Sequence, residues 1–493
     1  MLQIEEIKQL LEMAKLDAGR REAILGQQYY EAHHEILQLR MFYFDEDGVL
    51  QEDTIRNNAR ICHPFFTELV DQQVQYMLSG ADEGFIKAKK SVPELQNELD
   101  IYFNDDFNSE LSDVLLDVCT KGYGYMHAYK GSDDRLHFQY ADSLGVVEVR
   151  AKDSDDHCEY IIYWYVERVD KGNKVVKKIQ VSDSEKTWFY VQVGSGKIEI
   201  DTEQPINPRP LYMFTKDGGE EKYWSPLGFV PFFRLDNNKK RKSNLAPIKS
   251  LIDDYDIMAC GLSNNLQDFD HPLYVVKGFD GDSLDELTFN LKTKKTIGVE
   301  EEGGVEVKTI DIPVEARKTK LELDEKNIYR FGMGFNSAQM GDGNITNIVI
   351  RSRYALLDLK CDKLEKRLKQ FLKRIIRVVI AEINAKHGTM YTENDVFIRF
   401  KREIMTNAQD NAQIELTNAQ RRQVEVNTIL SLSNIFDNET VAKHLCDALD
   451  IDFEDVKGKL LTQDEDELEK VMQTLNEVES DEQKAEGNTT ESA

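Results

Sequence analysis

A run of apolar residues at helical spacing, unbroken for about forty positions, sets the terms for the whole fold. From Asn347 to about Lys386, Leu356, Leu357, Leu364, Leu368, Phe371, Leu372, Ile375, Ile376, Val379 and Ile383 keep the helical period. At about 1.5 Å rise per residue, this predicts one continuous or kinked helix of about 60 Å. A rod of that length crosses a molecule, and other elements must pack along it. It is not a membrane span, because its most apolar part, 371–383, carries Lys373, Arg374, Arg377 and Glu382, each costly at a bilayer centre. No stretch of the chain approaches the length of uncharged sequence that a span needs.

The remaining pattern predicts an α+β chain, mainly helical. Two helices open it between Leu2 and Leu39, interrupted at Gly19, and helical periods return from Asn57 to Leu78 and from Leu95 to Thr120. Between residues 122 and 200 the texture changes to β-branched and aromatic runs separated by turn clusters, which predicts an antiparallel β-region with strands at Tyr160–Glu167, Lys174–Ser182 and Thr187–Val193. Half of the 10 prolines fall between Asp201 and Asp236, predicting a connector and a domain boundary near residue 240. Ile248, Leu251, Ile252, Tyr255, Met258, Leu262, Leu266 and Phe269 then form one helical stripe. Short strands and turns follow over 271–311, and Asp311-Ile312-Pro313 reads as the start of a helix ending near Phe331. Gly332 to Asn344 is glycine-rich without an apolar period and predicts a long loop. After the long helix, a strand is expected at Val396–Lys401, helices near Ala412–Leu432, Glu439–Leu449 and Asp464–Val478, and a polar, disordered tail.

Charge and chemistry narrow the function classes. With 62 Lys and Arg against 90 Asp and Glu, the formal net charge is -28, so the surface as a whole repels nucleic acid and anionic membranes. The 6 cysteines are scattered without a C-x-x-C, which fits free thiols in a reducing compartment. Met1 to Lys15 has glutamates among its apolar residues and lacks the basic and apolar regions of a secretory signal. Gly194-Ser195-Gly196-Lys197 is a hairpin turn, without the upstream glycine and following helix of a phosphate-binding loop. His33-His34 and His157-Cys158 lack companions for a metal, and the acidic turns at Asp45 and Asp280 lack the glycine and glutamate of a calcium loop. No catalytic residue, metal or cofactor is assigned. Charge is unevenly spread: ten bases face three acids between Arg351 and Arg377, while residues 464–493 hold eleven acids and two lysines. The basic run is either a solvated, ion-paired helix face or a surface that meets phosphate or a neighbouring subunit.

The order of elements and several strings together resemble the portal proteins of tailed bacteriophages, in the form found in long-tailed phages of Gram-positive hosts. Leu227-Gly228-Phe229-Val230-Pro231 with Asn237-Asn238, then Ser250-Leu251-Ile252-Asp253-Asp254-Tyr255-Asp256, resemble the approach to and signature of that family's first stem helix. Ile312-Pro313-Val314-Glu315 is similar to the start of its second stem helix, and Tyr354-Ala355-Leu356-Leu357-Asp358-Leu359-Lys360 to its long helix. Asn438-Glu439-Thr440-Val441, Leu445, Ile451 and Asp464 to Leu468 resemble the C-terminal pattern, although Asp447 to Lys457 replaces the usual proline-containing segment.

The resemblance implies a portal-type fold: a wing at 1–243, stem helices at 244–268 and 312–331, a clip at 269–311, a tunnel loop at 332–345, the long wing helix and a strand at 346–401, a crown at 402–480 and a disordered acidic tail at 481–493. It implies a homo-oligomeric ring, usually of twelve subunits, at one capsid vertex of the virion, assembled in the host cytoplasm. Double-stranded DNA would pass through it without sequence-specific binding, for packaging, retention and ejection. Terminase, a head-completion adaptor, and the major capsid and scaffolding proteins would be its partners, with no membrane. The DNA-facing candidates are Lys318, Lys320, Lys326 and Arg330 on the second stem helix, each alternatively paired with acids of a neighbouring subunit such as Asp253 or Asp256, and Asn336, Gln339 and Asn344 in the loop. Ile248, Leu251, Ile252, Tyr255, Met258 and Leu262 would form the subunit interface, while Asp253, Asp256, Asn264 and Asp268 meet water. A metal-dependent nucleic-acid-processing enzyme subunit and a baseplate-type structural protein are the rival classes.

Overall fold

A computed structural model describes residues 2–448 apart from 55, 81–83, 90, 132, 134, 151–157, 170, 171, 173, 211, 216–221, 226, 227, 269–272, 280–282, 284, 286, 288–298, 309–312, 337–346, 403–407 and 432–437. The chain divides into two compact units, residues 1–344 with 348–405, and residues 345–347 with 406–493.

The first unit opens with α1 (Ile4–Leu16) and α2 (Ala18–Tyr30). The break between them lies at Asp17, not at Gly19. Asp17 is extended, and its carboxylate accepts the N–H of Arg20 at 2.8 Å, capping α2. An exposed hairpin, Phe42–Phe44 with Leu50–Glu52, follows. Next come α3 (Phe65–Leu78), α4 (Pro93–Tyr102) and α5 (Asp105–Lys121). Gly122 ends α5 at φ +91, and a Cβ there would stand 2.2 Å from the Arg241 carbonyl oxygen, so the turn requires glycine.

The β-region is antiparallel. Tyr123–Lys130 pairs with Leu136–Ala141 on one side and Phe232–Asp236 on the other. A larger sheet runs in the order Ile198–Ile200, Lys186–Val193, Lys174–Ser182, Cys158–Val169, Val146–Arg150, with Arg209–Pro210 also on Lys186–Val193. Ile162, Ile179, Val181, Trp188 and Tyr190 form a core with Ile7 and Leu11 of α1. The alternating run in sequence thus becomes a sheet whose apolar face a helix covers.

The stripe residues continue as α6 (Lys249–Asp268), a hairpin of Leu273–Phe279 with Val299–Lys308, and α7 (Val314–Gly332). Pro313 is the N-cap of α7. Then α8 spans Asn347–His387, 41 residues in one helix. Leu357, Leu364, Leu368, Phe371, Leu372, Ile375, Ile376, Val379 and Ile383 are all buried, and they share a core with Phe66 and Leu69 of α3, Leu111, Leu115 and Val118 of α5, Ile252 of α6 and Ile328 of α7. This core is continuous across residue 240, where a domain boundary is expected from sequence. Leu235, Leu245 and Ile248 all belong to it, and Asn237 and Asn244 donate backbone N–H groups to Gly122 and Cys119 at 3.0 Å each. The residues that follow the proline-rich segment are thus hydrogen-bonded into the core. Val396–Ile398 closes the unit by pairing with Ile86–Ala88.

In the second unit the described elements are α9 (Ala408–Ser431) and α10 (Asn438–Ala448). The expected helix at Asp464–Val478 and the tail lie outside the described residues. Among the described residues no helix is long and apolar enough to cross a membrane.

Candidate functional site

The helix, hairpin, helix unit at residues 249–332 holds most of the residues singled out from sequence. Its first helix is fixed by an extended strap. Along one side of α6, Asp256, Cys260, Asn264 and Asp268 recur every fourth residue, and each bonds a residue of the segment 57–63. Asp256 accepts the backbone N–H of His63 at 3.0 Å and Cys260 that of Ile61 at 3.2 Å. Asn264 accepts the N–H of Ala59 at 2.7 Å, and Asp268 the side-chain amide of Asn57 at 2.6 Å. Four helical residues advance about 6.0 Å and two extended residues about 6.6 Å, so a strap running antiparallel to the helix stays in step with it. Asp256 and Asn264 are therefore buried rather than in water.

Asp256 is the centre of this anchor. Its carboxylate also accepts from Nδ1 of His34 at 2.6 Å and Nδ1 of His63 at 2.7 Å. Burial raises its pKa, but the hydrogen bonds from His34 and His63 outweigh burial and hold the carboxyl below the ordinary value. One turn earlier Asp253 accepts from Tyr29 Oη and from Lys249 at 2.7 Å, while Lys249 also reaches Glu35 at 3.0 Å. Hydrogen-bonding residues at every fourth position, 256, 260, 264 and 268, are the sequence trace of such a strap, and composition alone gives no hint of its partner.

The apolar stripe of α6 is largely used within one chain. Ile248 and Ile252 are 1% and 0% exposed in the main core, and Leu251 and Tyr255 pack against that core. Tyr255 meets His63 and Phe65 edge-on, with ring centroids at 4.8 and 4.9 Å. Met258 and Leu262 are half-buried. Apolar surface left for another molecule lies at Ile257 and Leu266 of α6, Leu323 of α7 and the hairpin residues Phe42, Phe44, Val49 and Leu50, all exposed.

The four cations of α7 separate into two kinds. Lys320 is paired within the chain, with Asp254 at 2.5 Å and with Asp324. These bonds raise its pKa. Lys318 has only Glu322 at 4.0 Å, and Lys326 and Arg330 are exposed with no acidic partner among the described residues. The loop expected from Gly332 begins one residue later, and its first residues are anchored. Helix α7 runs through Gly332, Met333 turns left-handed at φ 55, and Phe335 is buried against Tyr354 with ring centroids at 4.7 Å. Gln72 exchanges two hydrogen bonds with the Phe335 backbone, at 3.0 and 2.8 Å. Asn336 donates to Glu325 at 2.8 Å. Gln339 and Asn344 lie outside the described residues.

On α8 the basic run is neutralised by its own acids at Lys369 alone among the described residues. Arg402 reaches Asp358 at 3.2 Å, Asp362 at 2.7 Å and Glu365, and Lys369 takes Glu365 at 2.7 Å. Arg377 pairs with Glu393 at 2.9 Å. Lys363, Lys366, Arg367 and Lys373 are left without an acidic partner among the described residues. Nor does any group of three or more His, Cys, Asp or Glu side chains there converge to hold a metal ion.

The family profile described as phage portal protein, SPP1 Gp6-like, matches residues 13–469. The chain belongs to this phage portal family. It is 27% identical over 397 residues to the portal protein of Bacillus phage SPP1, an alignment covering 80% of this chain and 76% of that one. It is 24% identical over 393 residues to the portal protein of Clostridium phage phiCD119, covering 76% of this chain and 82% of that one. The match agrees with the resemblance to portals of Gram-positive hosts, and it gives the chain a phage portal function, structural in kind and carried out as a component of the virion. Enzyme and baseplate readings are not favoured. The mixed helix and strand structure is compatible with this family.

Proposed function

We propose that copies of this chain form a ring at one capsid vertex, usually of twelve subunits, and that double-stranded DNA is driven in, held and released through its centre. In this proposal residues 1–243 are the wing, 244–268 and 312–331 the stem, 269–311 the clip, 332–345 the tunnel loop, 346–401 the long wing helix with its strand, and 402–480 the crown. The clip docks terminase during packaging and a head-completion adaptor afterwards, and the capsid and scaffolding proteins surround the ring. The observation that carries the proposal is the family match, which runs from residue 13 to residue 469 and so includes every one of these parts up to most of the crown.

Physical chemistry supports a conduit. Each phosphate neutralised by Lys or Arg adds affinity that opposes sliding, and contacts to base edges would arrest it. A chain of net charge -28 provides a mostly repellent wall. A few exposed cations then suffice to centre a duplex, and on α7 these are Lys318, Lys326 and Arg330. Lys320 is withdrawn from that set because Asp254 and Asp324 occupy it, and Asn336 because Glu325 holds it.

The test is packaging in vitro into procapsids. Procapsids assembled without this chain should protect no DNA from nuclease, and wild-type chain should restore protection. Arg330→Glu should assemble normally yet lower the protected DNA several-fold. Procapsids that package equally well without the chain would contradict the proposal, and unchanged packaging by Arg330→Glu would remove that residue from the channel.

A further inference from the structure

We propose that the basic face of α8 around Lys363, Lys366 and Arg367 is a second binding site for the phosphate backbone of duplex DNA, separate from the cations of α7. This rests on the portal reading for the presence of DNA, and adds a place where the duplex is held.

Three observations converge there. The first is charge: the acids interleaved with these bases are already engaged by Arg402 and Lys369, so the cations are not cancelled by their own helix. The second is shape. Lys363, Lys366 and Arg367 line a cleft of about 630 Å³ together with Gln370, while the Asn237 and Asn238 amides on its other wall are already spent on the Lys242 carbonyl oxygen at 2.8 Å each. Arg367 and Gln370 also line a neighbouring cleft of about 560 Å³, with Arg374. The two acids in that second cleft, Glu148 and Asp236, are both paired with Arg234. Across both clefts the donors outnumber the carboxylates available to them. Lys, Arg and side-chain amides are the groups that take phosphate oxygens in nucleic-acid interfaces.

The third is position. The first cleft is walled on one side by Phe331, Gly332 and Met333, the C-terminal end of α7. Lys360, one turn before Lys363, donates from Nζ to the Gly332 carbonyl oxygen at 2.9 Å, and burial lowers its pKa. This bond fixes the basic face of α8 to the end of the helix that carries Arg330. Exposed Lys239 and Lys240 follow Asn238 directly in the chain. From Lys363 to Arg374 the face extends for about 17 Å at helical rise. One strand of a duplex carries about five phosphates over that length, at about 3.4 Å each.

The experiment measures binding of a fluorescent duplex to the full-length chain by anisotropy over a series of salt concentrations. Three phosphates neutralised by these side chains contribute about 2.7 to the slope of log affinity against log salt. The variant Lys363→Gln, Lys366→Gln, Arg367→Gln should therefore lose a slope of that size. A control, Lys8→Gln, Lys174→Gln, Lys197→Gln, removes three exposed cations elsewhere and should keep the wild-type slope. All six positions are at or near the surface, and unchanged thermal melting confirms that both variants fold. A triple variant with the wild-type slope overturns the proposal, as does a control that loses as much. Poly-glutamate of equal charge binding wild type more tightly than the duplex does, with the triple variant losing that preference, would also overturn it, assigning the site to an acidic protein. Binding is read whether or not a ring forms, so failure here and failure of ring assembly are separate results.

Discussion

Replacing Asp256 with alanine should release α6 from its strap. The carboxylate is 0% exposed and accepts three hydrogen bonds, from His34 Nδ1 at 2.6 Å, His63 Nδ1 at 2.7 Å and the His63 N–H at 3.0 Å. A hydrogen bond to an ionised group contributes about 1.5–3 kcal/mol. The His63 ring is about one-third exposed and can exchange its bond for water, whereas His34, at 0% exposure, cannot. The net cost is therefore below the sum of the three bonds, at about 4 kcal/mol, within the range for breaking a buried pair. Hydrogen exchange followed by mass spectrometry reads this locally. In peptides covering 57–63 and 249–268, protection should fall about a thousandfold, since about 1.4 kcal/mol is tenfold. Asp268→Ala, which removes only the exposed bond to Asn57, should cost less than about 1 kcal/mol. A loss of protection below tenfold in Asp256→Ala, with the strap still in register, would refute the anchor.

Because the folded Asp256 carboxyl titrates below its ordinary value, its contribution to stability is complete above the unfolded pKa, about 3.9, and is lost as pH falls through the folded value. Wild type should lose stability more steeply than Asp256→Asn in denaturant titrations below about pH 4, and parallel curves would contradict this. Gly26→Ala should destabilise by about 1–3 kcal/mol, because a Cβ on Gly26 would stand 1.9 Å from the Thr120 carbonyl oxygen; thermal melting checks it. Deleting residues 337–342 leaves the Phe335 anchor in place and should permit ring formation while lowering packaged DNA, whereas a monomeric product in sedimentation would make the loop structural.

Much of the fold is legible because its elements are strongly patterned. The forty-residue apolar period becomes a 41-residue helix, and Lys174–Ser182 is a strand with the expected ends. Local turn chemistry is legible too, as at Gly194-Ser195-Gly196, a hairpin turn. What sequence does not reveal is which side of an element meets which partner. Ile248 and Ile252 have the spacing of an intersubunit stripe but are buried inside one chain, because α6 lies between the strap and α8's core. Asp256 and Asn264 look solvent-facing by type and are buried because an extended segment two hundred residues away supplies their hydrogen bonds. Lys320 has Asp324 one turn on, a spacing that sequence shows, whereas its second partner, Asp254 on α6, is set by tertiary packing that no local pattern announces. The first residues of the glycine-rich segment are anchored because Phe335 finds Tyr354 and Gln72, contacts that no local pattern announces.

Electron microscopy of the purified full-length chain, averaged along the symmetry axis, addresses the central claim most directly. A closed ring with an open axial hole wide enough for a duplex is the expected image. Isolated protomers at every salt and protein concentration, or rings with a solid centre, would contradict a DNA conduit.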